Sequence, residues 1–450
     1  MQYSIVYFSE AKKERRFDAE FYKNDYVNIL NNILKHNNKF LYEIASNKYK
    51  KLPNNKKDIE WKYVEIDKII CFQNDYNYTT FFKGDTLPSR ASKIPKLHDI
   101  IISTVRPTRG AICIFNDIEK DIIVSSGFSI VHTDKINNNY LYTVLSSSFY
   151  LKLYERLTKA SMYPAMSEED LFNLPIPIFS DKFQKSIEKL VLEAHNQRQK
   201  SNSLMKEANE ILEKEIGFDK LEIKKKKVNY SIVNYRETLS SKRIDAEYYQ
   251  EKYKIIMDKI QSYKNGSVLL NDLKVQYSTG FAFDSDSYST EGLNLIRINN
   301  IKPCELDITN SVKVNSSFSI TNQKDVVNYK DLLISMSGTI GNCCVIPKNI
   351  NAIINQRVLK FNVSDFDENV LCVFINSLAG RAQIERIGTG GVQINISAND
   401  IFNIKIPLID KNVQNIIAEK VQDSYKARDK AKALLEEAKK KVEDAIENGE

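Results

Sequence analysis

Apolar residues recur at spacings of three and four along two long stretches of the chain. Over about 181–216 the stripe is Ile187, Val191, Ala194, Ser201, Met205, Ala208 and Leu212. Over about 411–446 it is Ile417, Val421, Ser424, Ala431, Leu435, Ala438 and Val442. That period predicts two long helices, each with a coiled-coil seam. Each would be about 54 Å long at 1.5 Å rise per residue. Neither can stand in water with one face apolar, so each is the obvious partner of the other. Arg198 and Arg428 occupy the same layer of the two stripes. Such arginines either fix register between helices or snorkel to solvent.

A second helical pattern is shorter and doubled. Tyr22, Tyr26, Ile29 and Ile33 are spaced four, three and four apart, as are Tyr249, Tyr253, Ile256 and Ile260. Each set marks one apolar helical face. These residues belong to a gapless repeat: residues 3–33 and 230–260 align at an offset of 227, with 13 of 31 positions identical. Tyr3-Ser4-Ile5-Val6 matches Tyr230-Ser231-Ile232-Val233, and Arg16-x-Asp18-Ala19-Glu20-x-Tyr22 matches Arg243-x-Asp245-Ala246-Glu247-x-Tyr249. Asp18 and Asp245 are expected to cap the helices that follow, with Glu20 and Glu247 in the first turn. A second matching block, 230 residues apart, runs from Ser167 to Pro177 and from Ser397 to Pro407, just ahead of each long helix. The chain is a tandem duplication.

Between the shared blocks lie two divergent segments, about 37–166 and 261–396, with short apolar strands. Residues 99–103 parallel 331–335, and 110–114 parallel 341–345. One amphipathic helix is expected near 139–157, with a counterpart near 368–387. Insertions and deletions concentrate here, as expected when two copies must recognise two different things. The resulting division is 1–180 and 230–410 for two mixed domains, 181–220 and 411–450 for the long helices, and 221–229 for a linker. The run Lys224–Lys227 reads as a solvated linker rather than a nucleic-acid patch.

Composition narrows the function classes. The 450 residues are 42% hydrophobic and 27% charged with net charge +7, an ordinary soluble balance that suits a polyanionic partner without proving one. The first ten residues lack the apolar core of a secretion signal, and no run approaches the ~18 apolar residues of a membrane span. A cytoplasmic protein without a membrane role is expected. The six cysteines (71, 113, 304, 343, 344, 372) show no CxxC pair and read as reduced, structural thiols. His36, His98, His132 and His195 are scattered and read as surface or half-buried residues rather than metal ligands. Phosphate-loop, adenine-methylation and metal-nuclease patterns are all missing, and Gly388-Thr-Gly-Gly391 lacks a dinucleotide-binding context. The expected chain has no active site, no cofactor and no metal.

The repeated Arg-x-Asp-Ala-Glu-x-Tyr, the strand leading into Ser337-Gly-Thr-Ile-Gly341, the run Asn355-Gln-Arg-Val358 and the closing Ile-Pro with its long helix carry a resemblance. Over nearly its whole length the chain resembles the specificity subunits of type I restriction–modification systems. The resemblance implies an α+β architecture of two mixed α/β target-recognition domains, joined by two long helices in an antiparallel coiled coil, with a pseudo-two-fold internal repeat. It implies that each domain reads half of a bipartite, asymmetric site in double-stranded DNA. It further implies two methyltransferase subunits docked on the chain, with an endonuclease/translocase subunit joining them. The geometry agrees, since an antiparallel duplication acquires the two-fold symmetry of duplex DNA. A rod of ~54 Å would hold the readers at least one 34–36 Å turn apart. In the first copy Val105-Arg-Pro-Thr-Arg109 replaces the Ser-Gly-Thr-Ile-Gly of the second, so loop details do not carry across.

Base readout needs forked donors on loops, and phosphate contacts need Lys, Arg and small polar groups. In the first reader the candidates are Arg106, Thr108 and Arg109, flanking a proline-fixed turn, with Lys159, Ser161 and Tyr163 secondary. In the second they are Arg297, Asn299 and Asn300 after a strand, the cluster Asn355, Gln356 and Arg357, and Thr389 and Gln393 of the glycine loop. A structural role competes for each. Rival readings are a specificity subunit of a type IIB-like or other phage-defence methyltransferase system, a nuclease with a degenerate site, and a coiled-coil scaffold without base readout.

Overall fold

The computed structural model describes all residues except 1–4, 15, 53–58, 83–85, 160–161, 222–229, 310 and 390–393. Tyr3, Ser4, Ser161, Gln393 and the Lys224–Lys227 run therefore lie outside the described residues. The chain divides into two units, residues 1–201 with 426–450, and residues 202–425.

In the first unit an apolar run, Ile100–Ser103, forms the middle strand of a three-stranded antiparallel sheet, between Phe128–Val131 and Ile112–Ile114. Its side chains alternate between two cores, which is why the run is continuously apolar. Ile100 and Ile102 join the helices of the unit, and Ile101 faces Val64, Ile122 and Phe128. A five-stranded sheet runs Lys50–Lys51, Ala91–Ile94, Ile122–Ser125, Trp61–Val64, Thr79–Phe81, with Ile122–Ser125 parallel to Trp61–Val64. Asn38–Phe40 pairs with Pro175–Pro177.

The second unit repeats these connections. Leu332–Ser335 is central between Cys343–Val345 and Val358–Val363, and Lys274–Ser278 extends that sheet at the edge. Leu332 and Ile334 face one core and Leu333 the other. Leu293–Ile296 lies parallel to Ala352–Ile354, and Ser267–Leu269 pairs with Lys405–Pro407.

The two long helices span Asp181–Glu215 and Lys411–Asn448. Within the first unit, Ile187, Val191 and Ala194 share a core with Leu435, Ala438, Val442 and Ile446. Within the second, Ala208 and Leu212 share one with Ile417 and Val421. Pairs across the seam run in opposite senses: Glu193 with Lys430 at 3.1 Å in the first unit, Glu207 with Lys420 at 2.6 Å in the second. The helices are antiparallel, and every stripe residue except the half-buried Met205 is buried. Arg198 does not snorkel. It is 7% exposed and its Nε meets the Asp75 carboxylate at 2.5 Å, tying the helix to the Ile69–Tyr76 hairpin. Arg428 is half-buried at its layer.

Two local expectations need correction. The expected helices at 139–157 and 368–387 are each broken in two, into Asn138–Ser146 and Ser148–Leu157, and into Glu368–Asn376 and Leu378–Ile387. Ser147 and Ser377 take extended backbone and accept from the amides of Tyr150 and Gly380, capping a fresh start where periodicity alone shows none. The second correction concerns Asp18 and Asp245. The helices begin later, at Asn24 and Glu251, and Asp18 makes no side-chain cap. Instead Arg16 and Arg243 each grip the aspartate two residues on, at 2.6 and 2.5 Å, holding its carboxyl below its ordinary pKa. Tyr22 and Tyr249 donate back to the Arg16 and Arg243 carbonyls at 3.0 and 2.8 Å. The repeated motif is thus a closed loop; Asp245 also accepts from the Tyr248 amide at 3.3 Å, but over a turn at 246–249 and not at the start of the helix.

All six cysteines are thiols outside any disulfide; five are buried and Cys71 is half-buried. No helix among the described residues is long and apolar enough to cross a membrane.

Candidate nucleic-acid interface

In each unit two chain segments cross beside the central strand, and the same hydrogen bonds hold them. In the first unit the Thr104 amide donates to Gly127 O at 2.9 Å, Met166 N to Thr104 O at 3.0 Å, and Arg106 N to Pro164 O at 2.7 Å. In the second, Met336 N donates to Arg357 O at 2.9 Å, Ile396 N to Met336 O at 3.0 Å, and Gly338 N to Ile394 O at 3.0 Å. The frame is shared and the side chains on it differ.

On the first frame Arg106, Thr108 and Arg109 come together with Tyr163. Pro107–Arg109 is a 3-10 turn, Thr108 and Arg109 are exposed, and the Arg106 guanidinium lies 5.3 Å from the centre of the Tyr163 ring. Arg106 has φ 48°, left-handed, at the position Gly338 fills with φ 68°. A side chain there costs about 1–2 kcal/mol relative to ordinary backbone. Lys159 is committed elsewhere, pairing with Asp170 at 2.9 Å. Burial works against the Asp170 carboxylate, but Lys159 and the Ser167 hydroxyl outweigh it and keep its pKa below the usual value. Ser161 lies outside the described residues.

On the second frame Asn355, Gln356 and Arg357 form the turn into Val358–Val363. Gln356 and Arg357 are exposed, and Arg357 is left-handed at φ 70°. The Asn355 amide donates to Ile296 O at 2.9 Å, which places Arg297 and the exposed Asn299 beside this turn. Asn300 is a structural residue. It is 5% exposed, its oxygen accepts from Arg297 N at 2.9 Å and its amide donates to Asp307 O at 2.8 Å. Thr389 pairs through its backbone with Asn395, whose side chain accepts from Ser337 Oγ at 2.7 Å. Gln393 lies outside the described residues.

The sequence reading missed Met162, 80% exposed at the tip beside Tyr163, and Gly280. Gly280 has φ 74°, and a Cβ there would overlap the Asn355 backbone carbonyl. The signal was present, since a glycine after a strand marks close backbone approach. Gly280→Ala is therefore expected to displace the Asn355–Arg357 turn. It should cost about 2 kcal/mol of stability in thermal unfolding. Unchanged unfolding would show that the approach is not tight.

Four histidines bond locally or stand exposed: His36 with Ile446 O at 2.9 Å, His132 with Asp99 at 2.7 Å, His195 with Asp117 at 3.5 Å, and His98 on the surface. Burial pushes the Asp99 carboxyl above its ordinary pKa, against the pull of Lys96 and His132. No group of three or more acidic, histidine or cysteine side chains among the described residues is placed to hold a metal ion.

Residues 298–440 match the family model described as Type I restriction modification DNA specificity domain. Over that span the chain is similar to a type I DNA specificity domain. Its matched span contains Asn299, Asn300, Asn355, Gln356, Arg357, Thr389 and Gln393, and begins one residue after Arg297. Among solved structures, the HsdS subunit from Thermoanaerobacter tengcongensis aligns at 17% identity over 92% of this chain and 97% of that one, with a TM-score of 0.32. The type I restriction–modification S subunit from M. genitalium aligns at 12% identity over 91% and 95%, with a TM-score of 0.40. No curated protein matches the chain. The matched span lies within the second copy and the long helix that follows it.

Proposed function

We propose that the chain is the specificity subunit of a type I restriction–modification complex and that it works without an active site of its own. Residues 1–180 and 230–410 each read one half of a bipartite DNA site. The helices at 181–220 and 411–450 set the spacing between the halves, and methyltransferase and restriction subunits bring the chemistry in the cytoplasm. The observation that carries this reading is one backbone frame built twice with different side chains on it. Arg106, Thr108, Arg109 and Tyr163 occupy the first frame; Asn299, Asn355, Gln356 and Arg357 occupy the second. Arginine forks guanine and asparagine or glutamine forks adenine, so the two sets specify different bases.

Mapping N6-methyladenine across the host genome, with the gene intact and deleted, tests the reading. A two-part motif with a fixed gap should vanish on deletion. A methylome that deletion leaves unchanged overturns it.

A further inference from the structure

Four of the six cysteines lie in the second unit, and three of them gather round one asparagine. The Asn376 side-chain amide donates to the carbonyls of Cys343 and Cys372, both at 2.8 Å, and stands 3.4 Å from Cys304 Sγ and 3.6 Å from Cys372 Sγ. Within that frame the sulfurs of Cys304 and Cys372 are 3.8 Å apart. Cys372 belongs to the helix Glu368–Asn376, and Cys304 to the turn Pro303-Cys304 between the paired strands Ile301–Lys302 and Glu305–Leu306. The turn holds Cys304 left-handed at φ 55°. Glycine or asparagine usually takes such a place, and a side chain there is strained. Packing alone does not ask for a cysteine at that point, and a glycine would relieve the backbone. The position matching Cys372, 230 residues earlier, is Tyr142, so the thiol pair is no part of the shared frame.

We propose that Cys304 and Cys372 form an oxidisable dithiol, a modification site that hydrogen peroxide converts to a disulfide. Cys304 keeps 7% exposure at the turn and Cys372 has none, so a small peroxide meets Cys304 first. The Cys304 sulfur attacks one peroxide oxygen, the O–O bond breaks, and the thiol proton leaves with the other oxygen as water. The sulfenic acid so formed is attacked at sulfur by Cys372; the S–O bond breaks and a second water leaves with the Cys372 proton. Two thiols have then lost two electrons, and one peroxide has become two waters. Closure brings the sulfurs from 3.8 Å to about 2.05 Å and draws the turn towards the helix. That turn follows Arg297–Asn300 directly in the chain. Resting on the function proposed above, the disulfide displaces Arg297 and Asn299 and weakens reading of the second half-site.

The test treats the full chain with hydrogen peroxide, counts thiols after denaturation and maps the peptides by mass spectrometry. Two of the six thiols should disappear, and the peptides holding Cys304 and Cys372 should appear joined and lighter by two hydrogens. Dithiothreitol should restore both thiols. Cys304→Ser should lose the joined species and keep its remaining thiols. The wild-type measurement needs no variant, so it stands even where a substitution fails to fold. Affinity for the recognised duplex should fall at least tenfold on oxidation and recover on reduction, with Cys304→Ser indifferent to peroxide. Six thiols that survive, a link between other cysteines, or a further oxidised Cys304 beside an intact Cys372 thiol overturns the pair. A disulfide that leaves DNA affinity unchanged overturns its tie to the second half-site. A reduced chain that binds no DNA overturns the function proposed above and leaves the disulfide standing.

Discussion

Val191→Asp is expected to lower the thermal midpoint of the chain by about 10 °C, from a loss of about 4 kcal/mol. Val191 has no exposed surface and packs in one core with Leu435, Ala438 and Val442. An aspartate there loses the apolar burial and places a carboxylate in an apolar cluster. Neutralising itself by taking up a proton is the cheaper escape, so the destabilisation should shrink as pH falls through the raised pKa of the new group. Val191→Ala separates the two parts, since the cavity alone costs about 2 kcal/mol. Leu192→Asp is the control: one position round the helix and 38% exposed, it should leave the midpoint nearly unchanged. Equal effects at 191 and 192 would show that the stripe is not the buried face.

That stripe was legible because burial imposes a period on the sequence. Ile187 to Leu212 and Ile417 to Val442 can be read without coordinates, and so can the central strands, whose apolar runs are buried on both sides. The breaks at Ser147 and Ser377 were not legible. An apolar face continues across them, and only the serine's backbone turning extended ends one helix and starts the next. The Arg-x-Asp-Ala-Glu-x-Tyr motif shows the same limit from the other side. Its recurrence marked it as important, but its work is a two-residue ion pair and a tyrosine reaching back six residues. Spacing suggested a cap in its place.

The interface was legible as residue types on loops, and only partly as a site. Chemistry alone ranks Asn300 with Asn355, yet burial and two hydrogen bonds occupy Asn300 internally. Lys159 looks like a phosphate contact until Asp170 stands beside it. Such distinctions depend on neighbours more than ten residues away or across a turn. The left-handed Arg106 and Arg357 are likewise invisible in sequence, because nothing in their own letters announces a positive φ.

Those two arginines give the second large effect. Arg106→Gly and Arg357→Gly should each weaken binding to the recognised duplex by about 1–3 kcal/mol, roughly 10- to 100-fold, if each guanidinium forks a base. Glycine is the informative replacement because each site is left-handed, so the backbone frame persists without the side chain. Release of the left-handed penalty, about 1–2 kcal/mol, is offset by the extra freedom glycine gives the unfolded chain, about 0.5–1 kcal/mol, and at Arg106 by losing the Tyr163 ring contact. Stability should therefore stay within about 1 kcal/mol of the parent while affinity drops. Each variant should also relax selectivity in one half-site only: the first half for Arg106, the second for Arg357. Fluorescence anisotropy with the duplex identified from the methylome, and with duplexes altered in one half, reads both effects. A weakening that is uniform across sequences and reduces the salt slope by about one would make the arginine a phosphate contact. Unaltered binding would leave its left-handed backbone without a function.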